Sequence, residues 1–187
     1  MSTPEHNPNI KQRPYRVVDY DPTWPELFKK YSEQVRQALG ANLLEIHHFG
    51  STSIPGMFAK PNIDIYALVK SLDGVRDSYD AMRSAGFTSR GDYSSIGEEY
   101  FTLDTAEGER VASIHVFEGS DEIFNNYRNF RDYLTENPQE RDRYIELKKE
   151  LYKKFKNDYP SYDAGKRHLI EELKAKANQW AETRNNS

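Results

Sequence analysis

Cysteine is absent from this 187-residue chain, which excludes a disulfide framework, a thiol nucleophile and a zinc site held by thiolates. Methionine and tryptophan are scarce, with three and two residues, whereas tyrosine occurs thirteen times. We therefore expect a core rich in aromatic rings, whose hydroxyl groups need hydrogen-bond partners. No apolar run approaches the length of a membrane-spanning helix, and the polar N-terminus lacks the apolar segment of a signal peptide. These absences predict a soluble protein of the cytoplasm with no membrane partner.

An excess of positive charge is also absent: 26 Lys and Arg stand against 30 Asp and Glu, a formal net charge of −4. Proteins that bind nucleic acid in general are normally basic overall, so this balance argues against that class. The charge is unevenly distributed, because residues 138–177 hold more Lys and Arg than Asp and Glu. A local basic cleft for a small anion is therefore compatible with the composition.

The length suits a single domain, and the hydrophobic pattern divides it into a sheet part and a helical part. Residues 1–14 are polar with three prolines and predict a flexible arm, followed by one domain over 15–182. The sheet part covers about 15–118 and the helical part about 121–182. This order of elements predicts an α+β or mixed α/β fold, in which a mixed sheet has flanking helices and a C-terminal helical bundle.

Apolar periodicity and turn residues predict the individual elements. Strands are expected at Arg16–Tyr20, Leu43–Phe49 and Ile63–Val69, with an antiparallel pair at Tyr100–Leu103 and Val111–Phe117. Helices are expected from Asp21-Pro22 to Gly40 and from Asp73 to Ala85, and three more from Asp121 onwards, separated at Pro138 and Pro160.

The most informative stretch is the loop Gly50-Ser51-Thr52-Ser53, which lies between two predicted strands. Glycine lets the backbone approach a ligand closely, and consecutive N–H groups beside hydroxyls can hold phosphate oxygens. Asp64 on the next strand could hold the metal ion that accompanies a polyphosphate. Two structural alternatives remain open: the loop as a plain turn with a capping hydroxyl, and Asp64 as half of a salt bridge.

Several separated motifs carry a resemblance to a known family: Tyr20–Pro25, His48–Gly56, Ala59–Ile65, Ile114–Val116, Phe130–Leu134, Tyr144 with Lys148, and Tyr162 with Lys166. Over roughly residues 16–177 the chain resembles the GrpB-like family, small proteins of the nucleotidyltransferase-fold superfamily. The resemblance implies that fold. It also points towards nucleotide or coenzyme A metabolism, because in some bacteria a similar domain is fused to dephospho-coenzyme A kinase.

Against the pattern of that superfamily, the carboxylate set of this chain is incomplete. The pattern is a Gly-Ser loop and then a strand bearing Asp-x-Asp or Asp-x-Glu, whose alternate side chains share a Mg²⁺ site. Here Asp64 is followed two residues later by Tyr66, and neutral tyrosine is a poor Mg²⁺ ligand. On the later strand Ala112 and Ser113 stand where family members usually carry histidine, and His115 remains. We expect Asp64 and His115 to be the catalytic candidates and Asp64 to be the Mg²⁺ ligand.

Two further groups of charged residues complete the predicted site. Glu98 and Glu99, just before a strand, are candidates for the missing carboxylate. Lys60, Arg131, Lys148 and Lys166 lie within or beside the family-like motifs and are predicted, with the loop Gly50–Ser53, to bind a nucleoside triphosphate or related anion.

Three functions stay open at this stage. The first is Mg²⁺-dependent nucleotidyl transfer. The second is a non-catalytic module that senses a nucleotide or a coenzyme A-like anion, which the replacement of the second carboxylate by Tyr66 favours. The third is a partner-binding domain that docks through its aromatic helices.

Overall fold

A five-stranded mixed sheet forms the centre of the part of the chain that the computed structural model describes, residues 15–92 and 97–185. The strands are β1 (Leu43–Phe49), β2 (Ile63–Val69), β3 (Thr88–Asp92), β4 (Glu98–Asp104) and β5 (Arg110–Glu118), in the spatial order β1-β2-β5-β4-β3. β2 and β5 run parallel, whereas the other neighbours are antiparallel. The described helices are α1 (Trp24–Leu39), α2 (Leu72–Asp77), α3 (Tyr79–Ser84), α4 (Asn125–Glu136), α5 (Pro138–Lys154) and α6 (Tyr159–Asn185).

The two faces of the sheet are covered by different helices, because side chains alternate along each strand. On one face α1 and α3 bury an apolar core, which joins Val35 and Met82 to Ile65, Phe101 and Ile114 of the strands. The residues between these, such as Asp64, Tyr66 and His115, occupy the other face, which the C-terminal helices adjoin. The central strands therefore carry an apolar face and a chemically mixed one.

The C-terminal helices form a second core of their own. It joins Ile54 and Met57, from the segment between β1 and β2, to buried residues of all three helices: Leu134, Tyr144, Leu169 and Leu173. Gly165 allows α5 and α6 to approach closely, since a Cβ atom there would lie 2.6 Å from Cδ2 of Leu151. No helix in the described ranges is long and apolar enough to cross a bilayer.

The mixed fold and the C-terminal bundle confirm the predicted class, but two predicted elements differ from the structure and one strand was not predicted. The strand expected at Arg16–Tyr20 is reduced to an isolated bridge between Val18 and Ala59. The helix expected over Asp73–Ala85 is two short helices that meet at Ser78, whose hydroxyl donates to the carbonyl of Gly74 and competes with the helical pattern.

The third difference is that β3 was missed. This strand is polar and lies at the edge of the sheet, and its register shifts between Ser89 and Gly91, so it lacks an alternating apolar signal. The predicted flexible arm, residues 1–14, lies outside the described residues.

Candidate functional site

The predicted loop forms a tight turn in which the backbone of Gly50 lies against the side chain of Asp64. Gly50 follows β1 with φ +70° and ψ −176°, a conformation that is essentially restricted to glycine. A Cβ atom there would lie 2.2 Å from Oδ2 of Asp64. The turn continues as a 3₁₀ helix over Ser51–Ser53. Glycine is therefore required at position 50 by both the conformation and the contact.

The three hydroxyl groups of the turn have different environments. The buried Thr52 hydroxyl donates to the carbonyl of Asn62 at 3.1 Å and lies 3.0 Å from Nε2 of His48. Ser53 donates to the carbonyl of Gly50 at 2.7 Å. The Ser51 hydroxyl instead contacts a cation, because Nζ of Lys148 donates to it at 2.9 Å. Thr52 and Ser53 stabilise the turn, whereas Ser51 faces the basic side of the site.

Lys148 is a buried cation, with 3% of its surface exposed. Within residues 15–92 and 97–185, no carboxylate lies within ion-pair distance of its Nζ. Burial lowers the pKa of Lys148 well below its ordinary value, and the positive charges of Lys166 and Lys60 lower it further, against the opposing effect of Asp64. Such a group is costly in the free protein and would be stabilised by an anion.

Lys60 and Lys166 come to the same place from different elements. Lys60, between β1 and β2, donates to the hydroxyl of Tyr159 at 2.9 Å and lies 4.1 Å from the centre of its ring. Burial lowers the pKa of Lys60, and Asp64 opposes this shift. Lys166 of α6 lies 2.9 Å from Asp163 and 12% of its side chain is exposed. The connection between β1 and β2, helix α5 and helix α6 thus each contribute one lysine to a shared site.

Asp64 is the carboxylate at the centre of this group. Asn62 donates its amide to Oδ1 at 2.6 Å and also contacts the hydroxyl of Ser113. Burial raises the pKa of Asp64, while the charges of His115 and Lys60 and the hydrogen bond from Asn62 oppose that shift. Asp64 therefore lies between the sheet and the lysines.

The position expected to carry a second carboxylate is filled by an aromatic cluster. The ring of Tyr66 lies 4.7 Å from the ring of His115 and 4.7 Å from that of Tyr127, with Phe49 and Phe117 next to it. Burial raises the pKa of Tyr66 well above its ordinary value. A neutral phenol in a packed aromatic environment does not supply the second oxygen ligand of a two-metal site.

The two candidate replacement carboxylates lie on opposite faces of β4. Glu98 is 5% exposed and its Oε2 lies 3.1 Å from Nδ1 of His115. Glu99 accepts hydrogen bonds from Arg76 and Tyr79 on the other face, and so is wrongly placed for this role. Across the described residues, no cluster of three or more His, Cys, Asp or Glu side chains is arranged to hold a metal ion. The donor set therefore does not fit a protein-held pair of Mg²⁺ ions.

Arg131 contacts the turn from the β1 side. Its guanidinium donates to Asp132 at 2.7 Å and to the carbonyl of His48 at 3.4 Å, and lies 5.4 Å from the ring centre of Phe49. Burial and the charge of Arg131 lower the pKa of His48 to about 4, and its neutral ring stacks on Phe28. These contacts give Arg131 a role in holding β1 and the start of the turn.

The sequence reasoning missed two residues that shape this site. Asn62 precedes Asp64 by two positions, and that even spacing along an extended segment was an available signal that both point to the same side. Tyr159 gave no comparable signal, because only the packing of α6 against the connection between β1 and β2 brings Tyr159 to Lys60.

This sheet and helix arrangement defines a protein with a nucleotidyltransferase-like fold. The chain is similar to the Cid1 poly(U) polymerase in its Mg 3′-dATP-bound crystal structure, with a TM-score of 0.56 and 18% identity over 80% of this chain and 49% of that one. At this identity the likeness shows the fold alone.

The chain belongs to the GrpB family, since the family model described as GrpB protein matches residues 14–176. It is similar to the crystal structure of the conserved protein GrpB from Enterococcus faecalis, with a TM-score of 0.82 and 27% identity over 89% of this chain and 99% of that one. Protein YqkA of Bacillus subtilis is 31% identical over 176 residues, which cover 94% of this chain and 51% of YqkA, so the chain spans about half of that relative. A dephospho-CoA kinase of Mycolicibacterium paratuberculosis is 26% identical over 93% of this chain and 48% of its own length.

Proposed function

We propose that this chain binds a nucleotide or a related phosphate-bearing metabolite, with a phosphate group at the turn Gly50–Ser53. The observation that carries the proposal is the convergence of Lys60, Lys148 and Lys166, with Lys148 buried against Ser51. A buried ammonium without a carboxylate partner is unfavourable, and phosphate oxygens would supply both the charge and the hydrogen-bond acceptors.

The turn adds neutral donors to these cations. Ser51 offers a hydroxyl, and Gly50 next to it is exposed to solvent on the side that Asp64 does not cover. A charge-assisted hydrogen bond contributes about 1.5–3 kcal/mol, so each lysine that contacts the phosphate should matter roughly ten- to a hundredfold in affinity. A small anion fits this geometry better than a nucleic acid, for which the chain has no overall positive charge.

The related proteins support the same chemistry without showing it for this chain. The Cid1 neighbour is described with Mg and 3′-dATP bound, and a dephospho-CoA kinase is among the relatives. These support a nucleotide or a coenzyme A-like molecule as the ligand. We expect the protein to act in the cytoplasm, where such metabolites are found.

Nucleotidyl transfer through Asp64, His115 and Mg²⁺ is the catalytic form of this proposal. The alternative is a non-catalytic sensing module or a partner-binding domain, and a specific observation favours it: Tyr66 occupies the position of the second carboxylate within packed aromatic rings. Binding of the anion is thus the function that this site supports best.

Thermal unfolding of the purified protein with ATP, GTP, CTP, UTP and coenzyme A, each with and without Mg²⁺, tests the proposal. A ligand at a hundred times its dissociation constant adds about 2.7 kcal/mol, which is a shift of several degrees. The Lys166→Gln variant should lose most of this shift. Lys174→Gln is the matched control, because Lys174 is an exposed lysine on the same helix.

A shift that Lys174→Gln keeps and Lys166→Gln loses would support phosphate binding at the lysines. Equal shifts in both variants would place any binding elsewhere, and an unchanged melting temperature with all five ligands would favour the partner-binding alternative.

A further inference from the structure

We infer that the site takes a phosphate monoester or diphosphate group in its metal-free form, with Lys60, Lys148 and Lys166 supplying the positive charge that metal ions supply in two-metal nucleotidyl transfer. This inference rests on the proposed function and names the charge state of its ligand. It is derived from the donor groups on the sheet and from the charges that surround them.

The first step is the occupied second ligand position. Tyr66 is paired in register with His115 across the parallel strands, and both rings lie on the mixed face of the sheet. The ring of Tyr127 also packs on Tyr66, with 4.7 Å between the ring centres. Replacing a carboxylate by a phenol removes a charge and fills its space with an aromatic ring, so position 66 supplies no ligand for a second metal ion.

The second step concerns Asp64 itself, whose Oδ1 is hydrogen-bonded and whose Oδ2 packs against the turn. Oδ1 accepts a hydrogen bond from Asn62 at 2.6 Å, and Oδ2 lies against the backbone of Gly50. Mg²⁺ demands near-octahedral oxygen coordination and is bound through carboxylates that are open to it and its water ligands. A single engaged carboxylate flanked by lysines is a weak basis for such a site.

The third step is the balance of charge. At this site the three lysines outnumber the two carboxylates that interact with them, Asp64 and Asp163. That excess of cations favours an anionic group such as a phosphate monoester, which carries about two negative charges at neutral pH, or a diphosphate. A fully ionised triphosphate without metal carries still more negative charge and fits this small excess of lysines less well.

Isothermal titration of pyrophosphate and of ADP, each in excess EDTA and in excess MgCl₂, tests the inference on the full chain. We expect binding in EDTA that Mg²⁺ weakens, because the metal competes for the ligand. Asp64→Asn keeps the size of the side chain and removes a negative charge that faces the anion. It should tighten binding in EDTA by about three- to tenfold.

Asp163→Asn provides a second variant in case Asp64→Asn disturbs the turn. Asp163 is half-exposed and pairs with Lys166, so its removal should also tighten binding in EDTA. Binding that requires Mg²⁺ and is lost in Asp64→Asn would overturn the metal-free inference and leave the proposed function intact. If neither pyrophosphate nor ADP gives a heat of binding in EDTA or in MgCl₂, the proposed function is overturned, and the inference with it.

Discussion

Gly50 and Asp64 are in direct contact, and a Cβ atom on Gly50 would be 2.2 Å from Oδ2 of Asp64. Asp64 is also paired across the sheet with Phe49, the residue before Gly50. The turn and the carboxylate are therefore one structural unit. Around it the chain places three lysines that come from three different elements.

Gly50→Ala should be strongly destabilising. The alanine would have to adopt a glycine-only conformation and displace Asp64, so we expect the free energy of unfolding to fall by about 3 kcal/mol. Gly108→Ala is the control, because Gly108 also has a positive φ but a Cβ atom there would meet no atom of a non-adjacent residue within 4 Å. Urea unfolding should show a loss of about 1–2 kcal/mol for that control. Equal losses in the two variants would contradict the contact with Asp64.

Lys148→Met should leave the folded state as stable or more so. The change removes a buried charge whose pKa is lowered in the folded protein, and keeps a side chain of similar length. We expect the free energy of unfolding to stay equal or rise by up to about 2 kcal/mol. Lys149→Met, on an exposed residue that pairs with Asp19, should change it by less than about 0.5 kcal/mol. A loss of more than about 1.5 kcal/mol in Lys148→Met would mean that Lys148 has a structural role.

Tyr66 offers a test of whether the missing carboxylate can be restored. Tyr66→Asp would place a charge among the rings of Tyr127, His115 and Phe49, so we expect a loss of about 3–5 kcal/mol on unfolding. Tyr66→Phe keeps the ring and should cost about 1 kcal/mol for the lost hydroxyl contact. The comparison is made by chemical denaturation. A stable Tyr66→Asp protein would show that the position still tolerates a metal ligand.

The affinity for a phosphate group should fall as pH rises above about 7, where the phosphate is already fully ionised. In the free protein, burial and the charges of Lys166 and Lys60 lower the pKa of Lys148, and the charge of Asp64 opposes this shift. The neighbouring Tyr144 carries no charge in this pH range, because burial raises its pKa. A bound anion raises the pKa of Lys148 again, so binding takes up protons between the two pKa values. Titration of ADP from neutral to alkaline pH should show this fall, and Lys148→Met should reduce it and leave the part that comes from Lys60, whose pKa burial also lowers. An affinity independent of pH in the wild type would contradict the lowered pKa.

The sequence was sufficient to predict the elements that build the site, because their signals are local. The alternation in β1 and β2, the small residues of Gly50–Ser53 and the helical periodicity beyond Asp121 each depend on neighbouring residues. β3 was missed because a polar edge strand with a bulge has no such pattern. The break at Ser78 depends on one hydroxyl, which the apolar periodicity does not reveal.

The arrangement of charges could be predicted only in part, since it depends on contacts between distant segments. Lys148 meets Ser51 and Lys60 meets Tyr159 across roughly a hundred residues, so the spacing within each motif does not report these contacts. The sequence pattern starts β4 at Tyr100, so it does not indicate which face of the sheet Glu98 and Glu99 each occupy. Once the strand begins at Glu98, alternation separates the two carboxylates.

The most direct test of the central claim is the affinity of ADP, measured by isothermal titration, for the wild type, Lys148→Met and Lys149→Met. These two lysines are adjacent on α5, but Lys148 is buried against Ser51 and Lys149 is exposed. The account predicts that Lys148→Met weakens binding at least tenfold and that Lys149→Met stays within about twofold of the wild type. Unchanged affinity in Lys148→Met, with the wild type binding ADP, would contradict a phosphate site at the turn Gly50–Ser53.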